Sequence, residues 1–159
     1  MSLDMFLELE GIKGESKDSK HKEKIDVLAW SWGVSNSGSF HQGSGGGAGK
    51  SNFQDISFTK YIDKASADLL YACASGKHIG KGSLIVRKAG EQPLEYLIYK
   101  LTEIMVSSVS TGGSGGEDRL TENVTLNFSK VAVEYFVQDA KGAGKAAGSF
   151  TWDIAGNVK

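Results

Sequence analysis

The chain has 159 residues, with 18 lysines and arginines against 19 aspartates and glutamates, and a formal net charge of −1. This length suits one domain, residues 1–159, with a hydrophobic core of its own. The even charge balance argues against nucleic-acid binding, which usually needs a basic excess on one face.

Two further features concern the compartment. The single cysteine, Cys73, excludes a disulfide within the chain and suits a reducing environment. No basic region followed by a long apolar run opens the sequence, and no apolar stretch approaches the roughly 20 residues that span a bilayer. We therefore expect a protein made soluble in the cytoplasm, without membrane insertion. If it is exported, it leaves without a cleaved signal peptide.

Hydrophobic residues alternate with a period of two along most of the chain, which predicts β-strands. In chain order we expect strands at residues 5–9, 25–32, 56–62, 83–88, 94–109, 119–138 and 148–154. In the strand 119–138 the alternation changes from even positions, up to Phe128, to odd positions, from Val131. Such a change predicts a β-bulge or sharp bend near Ser129 and Lys130, which would curl the sheet toward closure.

One segment, following the third strand, has helical spacing. Its apolar stripe consists of Ala65, Leu69, Leu70 and Cys73. Ser66 is the expected N-cap, and Gly76 is the expected glycine after the C-terminus. We predict a helix of about three turns that covers one end or face of a mostly antiparallel β domain.

The glycine-rich segment at about residues 36–52 looks at first like a phosphate loop, since Gly49, Lys50 and Ser51 follow a run of glycines. That motif requires a glycine at position 44, where this chain has Ser44, and a helix directly after the loop. Residues 53–62 instead predict a strand. Two interpretations of this extended loop stay open: a long mobile surface loop, and a loop that becomes ordered against a neighbouring subunit. Its candidate contact residues are Gly43, Gly45, Gly46, Gly47, Gly49 and Lys50.

The remaining reactive side chains predict neither a catalytic site nor a metal or cofactor site. The histidines have no partner at metal-ligand spacing, and we interpret His21 and His41 as ordinary exposed residues. Cys73 lies on the apolar stripe, which favours an unreactive buried thiol. The lysine-rich run 13–24 is interleaved with acids and is typical of a solvated loop. We predict that the protein is not an enzyme; the alternative that stays open is a nucleotide-binding enzyme that uses Lys50.

Ser31 lies in the strand 25–32, on the face opposite to Trp30 and Trp32. Because the tryptophan face is the expected core, Ser31 should point outward, beside small residues. An ordinary solvent-facing serine and a position on the wall of a channel are both compatible with this placement.

Several long blocks of the sequence resemble one known family. They are KGESKD at 13–18, IDVLAWSWG at 25–33, GGGAGK at 45–50, FTKYIDK at 58–64, ASGKH at 74–78 and VSTGGSGGEDRLTENV at 109–124. Together they resemble the hemolysin-coregulated protein (Hcp) family, the secreted tube subunit of bacterial type VI secretion systems.

The resemblance implies a small closed antiparallel β-barrel of two curled sheets with one flanking helix. It also implies hexameric rings that stack into a hollow tube, which a contracting sheath expels together with a spike. Family members carry small effector proteins inside the ring, which would put Ser31 on the lumen wall and turn the glycine-rich loop into an arm toward a neighbouring subunit or ring. Besides the tube subunit and the nucleotide-binding enzyme, a third hypothesis is a monomeric barrel that binds a small ligand.

Overall fold

The computed structural model describes residues 2–38, 48–90 and 93–159. These residues form an eight-stranded antiparallel sheet, a separate two-stranded ribbon and one helix. The elements are β1 Leu3–Leu9, β2 Ile25–Asp26, β3 Ala29–Ser31, β4 Val34–Gly38, β5 Ala48–Phe53, β6 Ile56–Tyr61, α1 Ala65–Ser75, β7 His78–Lys88, β8 Leu94–Thr111, β9 Thr121–Gln138 and β10 Gly144–Asp153.

The strand order in the main sheet is β2-β1-β7-β8-β9-β6-β3, and β10 pairs with the second half of β9. The predicted strand 25–32 is wrong as one continuous element, because β2 pairs with β1 at one edge of the sheet and β3 pairs with β6 at the other. Val27 and Leu28 cross between these edges: the Val27 amide donates to Met5 O and the Leu28 amide donates to Thr59 O.

This crossing curls the sheet into a half-barrel around one core. The mostly β fold with one short helix is confirmed, but the closed barrel of two sheets was overstated. Two residues span the gap between the edges, and the described residues form no ladder between β2 and β3. Alternation would place Leu28 on the expected core face with Trp30 and Trp32, but because of the crossing Leu28 is 40% exposed and Val27 is buried instead.

The predicted change of alternation in β9 is confirmed, since Phe128 and Val131 are both buried. The register of β9 against β8 does not shift there; a shift occurs between Val106 and Ser108 instead. Of the two predicted alternatives near Ser129 and Lys130, the sharp bend is therefore present and the β-bulge against β8 is not. The neighbouring strand β8 changes its buried side at the same level, between Leu101 and Ile104, so the strands bend together.

This shared bend forms a crease that crosses the sheet in register, through Lys81, Thr102, Lys130 and Asp153. On one side of the crease β9 pairs with β6, and on the other side it pairs with β10. Glu103, next to the crease in β8, adopts the left-handed backbone conformation, with φ of 53°.

Helix α1 packs against β8 and contributes Ala65, Leu69 and Ala72 to the core. Gly76 ends it with φ of 68°, as predicted. The N-cap prediction is wrong, because Lys64 occupies that position and Ser66 lies in the first turn. Asp63 takes over the capping of the first turn: its Oδ1 accepts the Ala65 amide at 2.9 Å. The predicted stripe is also partly wrong, since Leu70 is 48% exposed and Cys73 is only half-buried.

Candidate functional site: a polar wall, a ribbon and an apolar end

The outward face of β3, β6, β9 and β8 carries two rows of small uncharged side chains. The first row, in register across the four strands, is Ser31, Ser57, Thr125 and Ser108. The second row is Ala29, Thr59, Asn123 and Ser110. We call these eight residues the polar wall. The residues between the rows, such as Phe58 and Val124, point into the core, because side chains alternate along a strand.

Ser31 is exposed and lies at the β3 edge of the polar wall, opposite Ser57. The outward direction predicted for it is therefore confirmed. The predicted reason is only partly right, since Trp30 and Trp32 are half-buried at the core margin and pack edge-on against Tyr99 at 5.0 and 5.6 Å. Sequence reasoning placed Ser31 on this face but could not supply its neighbours, because they come from strands distant in the chain.

Hydrogen bonds between side chains tie much of the polar wall together. Thr59 Oγ1 donates to Asn123 Oδ1 at 2.7 Å, and the hydroxyls of Ser108 and Thr125 lie 2.6 Å apart. At the margin, Asp55 accepts hydrogen bonds from Ser107 and Asn127. All eight side chains are short and uncharged, so no formal charge lies within the two rows.

The glycine-rich segment leaves the body as a ribbon. Strands β4 and β5 pair from Val34 opposite Phe53 to Gly38 opposite Ala48. The Trp32 indole N–H fixes its base by donating to Gln54 O at 2.9 Å, and Phe53 stacks on Trp32. Residues 36–38 and 48–52, predicted as loop, are therefore strand.

The individual residues predicted in this segment divide into two groups. Gly43, Gly45, Gly46 and Gly47 lie outside the described residues, as does His41. Gly49 and Lys50 lie on β5, and the Lys50 side chain is exposed. Because a strand and not a helix contains and follows Lys50, the structural context of a phosphate loop is missing here.

The part of the sheet beyond the crease exposes apolar side chains on both faces. Residues 94–99 of β8 are all only partly buried, and Tyr135, Val137 and Phe150 are 42%, 38% and 38% exposed. Tyr96 packs edge-on against Tyr135, with ring centroids 6.3 Å apart. Aromatic side chains with this partial exposure are enriched at protein interfaces.

A buried ion pair, which the sequence analysis missed, lies beneath the start of α1. Lys60 and Glu122 are both fully buried and face each other across β6 and β9. Lys60 Nζ donates to Glu122 Oε2 at 2.6 Å and to Asp63 Oδ1 at 2.9 Å. The sequence did indicate the burial of Lys60, because this residue shares one face of the strand with the apolar residues Ile56 and Phe58.

His21 was wrongly predicted to be exposed, since it is only 4% exposed. Its Nε2 donates to Glu95 Oε1 at 2.5 Å, and its Nδ1 accepts from Lys24 Nζ at 2.9 Å, because an ammonium can only donate. The ring also stacks on Phe6 at 4.6 Å. Sequence pattern offers no signal for these contacts, which join the 13–24 segment to β8 and β1.

Arg87 makes a second clamp on the same segment. Its guanidinium donates two hydrogen bonds to the Asp18 carboxylate, at 2.6 and 3.0 Å, and one to Asp4 at 3.0 Å. The hydrogen bond from Arg87 holds the pKa of Asp18 well below its usual range. The lysines at 13, 17, 20 and 22 are exposed, as predicted for a solvated loop, while Asp18 and His21 hold the loop against the sheet, which was not predicted.

No group of three or more potential metal ligands occurs in the described ranges. A cleft of about 340 Å³ lies beside Asp55, His78 and Glu103, at the ribbon end of the polar wall. No helix of the described residues is long and apolar enough to cross a membrane.

Comparison with known proteins places this geometry in a family. The family model described as "Type VI secretion system effector, Hcp" matches residues 6–135. The chain belongs to the Hcp family. It is 61% identical over 162 residues to the protein hcp1 of Pseudomonas aeruginosa, a match covering 100% of this chain and 99% of that protein.

Solved Hcp structures also match the fold. The crystal structure of Hcp1 from Salmonella typhimurium has 40% identity, a TM-score of 0.78 and coverage of 99% of this chain and 98% of its own. A structure described as a type six secretion system protein has 31% identity, a TM-score of 0.92 and coverage of 98% of both chains. The predicted family is therefore confirmed, and this Hcp chain is a β-rich protein of a type VI secretion system.

Proposed function

We propose that this chain assembles into hexameric rings, that the rings stack into a hollow tube, and that small effector proteins are held in the lumen against the polar wall. The observation that carries the proposal is the uncharged wall itself, two in-register rows of short side chains on one half of a curled sheet. Membership of the Hcp family supports a role in a type VI secretion system.

Ring formation is supported by the apolar end beyond the crease. One subunit leaves Tyr135, Val137 and Phe150 partly exposed, and burying such side chains against a neighbour is favourable. A ring closes when one patch of each subunit meets a different patch of the next. We therefore assign the apolar end of β8, β9 and β10 to the contact within a ring.

The polar wall suits a lumen because it would bind a protein inside the tube only weakly and would not repel it. Its hydroxyl and amide groups offer hydrogen bonds, and the absence of charge in the rows avoids a large desolvation cost on contact. The wall residues are small, so they leave the lumen wide. Ser31 stands at the edge of this wall, where a longer side chain would project over it.

The proposed assembly also implies an order of synthesis, assembly and export. It is made in the cytoplasm, assembles with sheath and spike proteins, and is expelled to the exterior or into a target cell without a cleaved signal peptide. Contacts between rings should be weaker and more polar than contacts within a ring, because the tube must come apart after delivery. Rings that persist in high salt while stacks dissolve would agree with this ordering; stacks that outlast rings would contradict it.

Light scattering and negative-stain images of the purified protein test the ring. We expect six-subunit particles with a central opening across micromolar concentrations. A strict monomer over that range would overturn the proposal.

Ser31→Gln tests the wall. We expect rings of normal size that no longer retain an effector secreted by the same bacterium, because the longer side chain occupies the wall. Ser75→Gln, at an exposed serine at the end of α1, makes the same change away from the wall and should leave retention unchanged. Equal effector retention by the Ser31 variant and the wild type would remove Ser31 from the proposed lumen.

A further inference from the structure

The two ends of the polar wall carry opposite charges on projecting segments. The ribbon leaves from the end where Ser31, Gln54 and Ile56 lie. The β8–β9 loop, residues 112–120, leaves from the other end, where Tyr61 pairs with Thr121. The six residues of β6 separate these ends by about 20 Å.

Lys50 gives the ribbon its charge. In the sequence from Val34 to Phe53 it is the one lysine or arginine, and there is no aspartate or glutamate. It is exposed on β5, and no ion pair of Lys50 occurs within the described part of the chain.

Glu117 and Asp118 give the opposite loop its charge. Both are exposed, and the described residues form no ion pair with either one. The neighbouring Arg119 lies with its guanidinium 3.8 Å from the Tyr61 ring centroid, at the base of the loop, so two acids against one arginine leave residues 112–120 with a net charge of −1. The acidic Asp55 at the ribbon end is engaged by Ser107 and Asn127 within its own chain.

We infer that Lys50 of one subunit pairs with Glu117 and Asp118 of a second copy in the next ring. This inference rests on the proposed stacking of rings. When identical rings stack head to tail, the ribbon end of each faces the loop end of the next, so the positive segment of one copy meets the acidic segment of another.

We call this contact between two rings the joint. It consists of exposed charges, so each ion pair is weak and strongly screened by salt. Six repeats around a ring make the weak pairs act together, since the first contact brings the others within reach. A joint of this kind holds stacks at low salt and releases them at high salt, without any change within the rings.

Charge reversal on each side tests the pairing. We expect Lys50→Glu rings, and separately Glu117→Lys/Asp118→Lys rings, to need about tenfold higher concentration to stack at low salt, because like charges then meet at every joint. Mixing the two variant rings should restore stacking, since every joint in an alternating stack is again complementary. Lys17→Glu, at another exposed lysine, is the matched control and should stack normally.

Cross-linking reads the contact directly even where stacks are sparse. In a Cys73→Ser background, preformed Lys50→Cys rings are mixed with preformed Asp118→Cys rings and oxidised. Since a disulfide requires Cα atoms within about 7 Å, covalent dimers between the two kinds of subunit report contact between rings. Lys17→Cys rings mixed with Asp118→Cys rings give the background.

The outcomes separate this inference from the proposed function. Rings that form normally but show neither rescue on mixing nor dimers above background would overturn the Lys50 pairing and leave the ring intact. Absence of rings in the wild type would overturn the proposed assembly itself. Rescue together with specific dimers establishes the joint.

Discussion

At the scale of single residues, the Lys60–Glu122 pair places two charged groups in the core, where the free-energy cost of desolvation is high. Both side chains are fully buried, and Glu122 Oε1 has no hydrogen-bond partner among the described residues. Removing one partner from a buried ion pair leaves a desolvated charge, which costs more than the intact pair contributes.

We therefore expect Lys60→Met to lower the free energy of unfolding by about 3–5 kcal/mol. The double variant Lys60→Met/Glu122→Leu should recover much of that loss, because the buried Glu122 carboxylate is then gone and Asp63, the other partner of Lys60, keeps its hydrogen bond from the Ala65 amide. Lys100→Met, at an exposed lysine paired with Glu134, should cost no more than about 1 kcal/mol. Denaturant unfolding measures all three, and a Lys60 variant as stable as the Lys100 variant would contradict the expectation.

The Asp18–Arg87 clamp makes the attachment of the 13–24 loop depend on acidity. Because the pKa of Asp18 is held below its ordinary value of 3.8, its contribution to stability is present above that value and is lost as the pH falls toward the lowered pKa. Wild type should have a higher melting temperature than Asp18→Asn at neutral pH. The gap should narrow below about pH 4, because the Asp18 carboxylate of the unfolded chain then takes up a proton while the folded one, held by Arg87, stays ionised down to a lower pH. A gap that stays constant with pH would argue against the clamp.

At the scale of elements, Gly82 determines how closely β1, β7 and β8 approach. A Cβ at this position would lie 2.8 Å from Glu8 O and 2.9 Å from Ile104 Cδ1. At Gly80, on the same strand, it would meet only the flexible Glu10 carboxylate, at 3.1 Å.

Gly82→Ala should therefore destabilise the fold by about 1–3 kcal/mol, since backbone must shift to admit the methyl group. Gly80→Ala should change stability much less, because the Glu10 side chain can move aside. Thermal unfolding of the two variants compares them, and equal melting temperatures would show that the sheet adjusts at no cost.

The sequence predicted those elements whose pattern is local. Strand alternation placed β6, β8 and β9, and Gly76 marked the end of α1 correctly. The break in 25–32 could not be predicted, because each half is a good strand and only pairing with β1 and β6 separates them. The polar wall could be predicted one strand at a time, as at Ser31, but its rows depend on register between strands. The burial of His21 depends on Glu95, 74 residues away, so no local pattern indicates it.

At the scale of the whole molecule, one subunit has more apolar surface than it can cover alone. The exposed side chains beyond the crease belong to three strands of one rigid sheet, so they form a preformed patch for a neighbour. The ribbon and the 112–120 loop lie at opposite ends of the polar wall, where the proposed contacts between rings would form.

Tyr135→Asp tests the patch. A charge at this 42% exposed position should weaken assembly, so that light scattering shows smaller particles at the same concentration, because a carboxylate would be desolvated in the contact. Circular dichroism should show an unchanged fold, since Tyr135 is not part of the core. If this variant still forms intact rings, the contact between subunits of a ring must lie on another face of the protein.

The crease has a mechanical consequence. Strands β8 and β9 each run through it for 18 residues, with the register between them unbroken at that level. The ladder omits the pair of Glu103 with Ser129 and resumes with Ile104 opposite Phe128 in the same register. Because both strands are covalently continuous through the crease, a load applied to the apolar end reaches the polar wall along the backbone of β8 and β9.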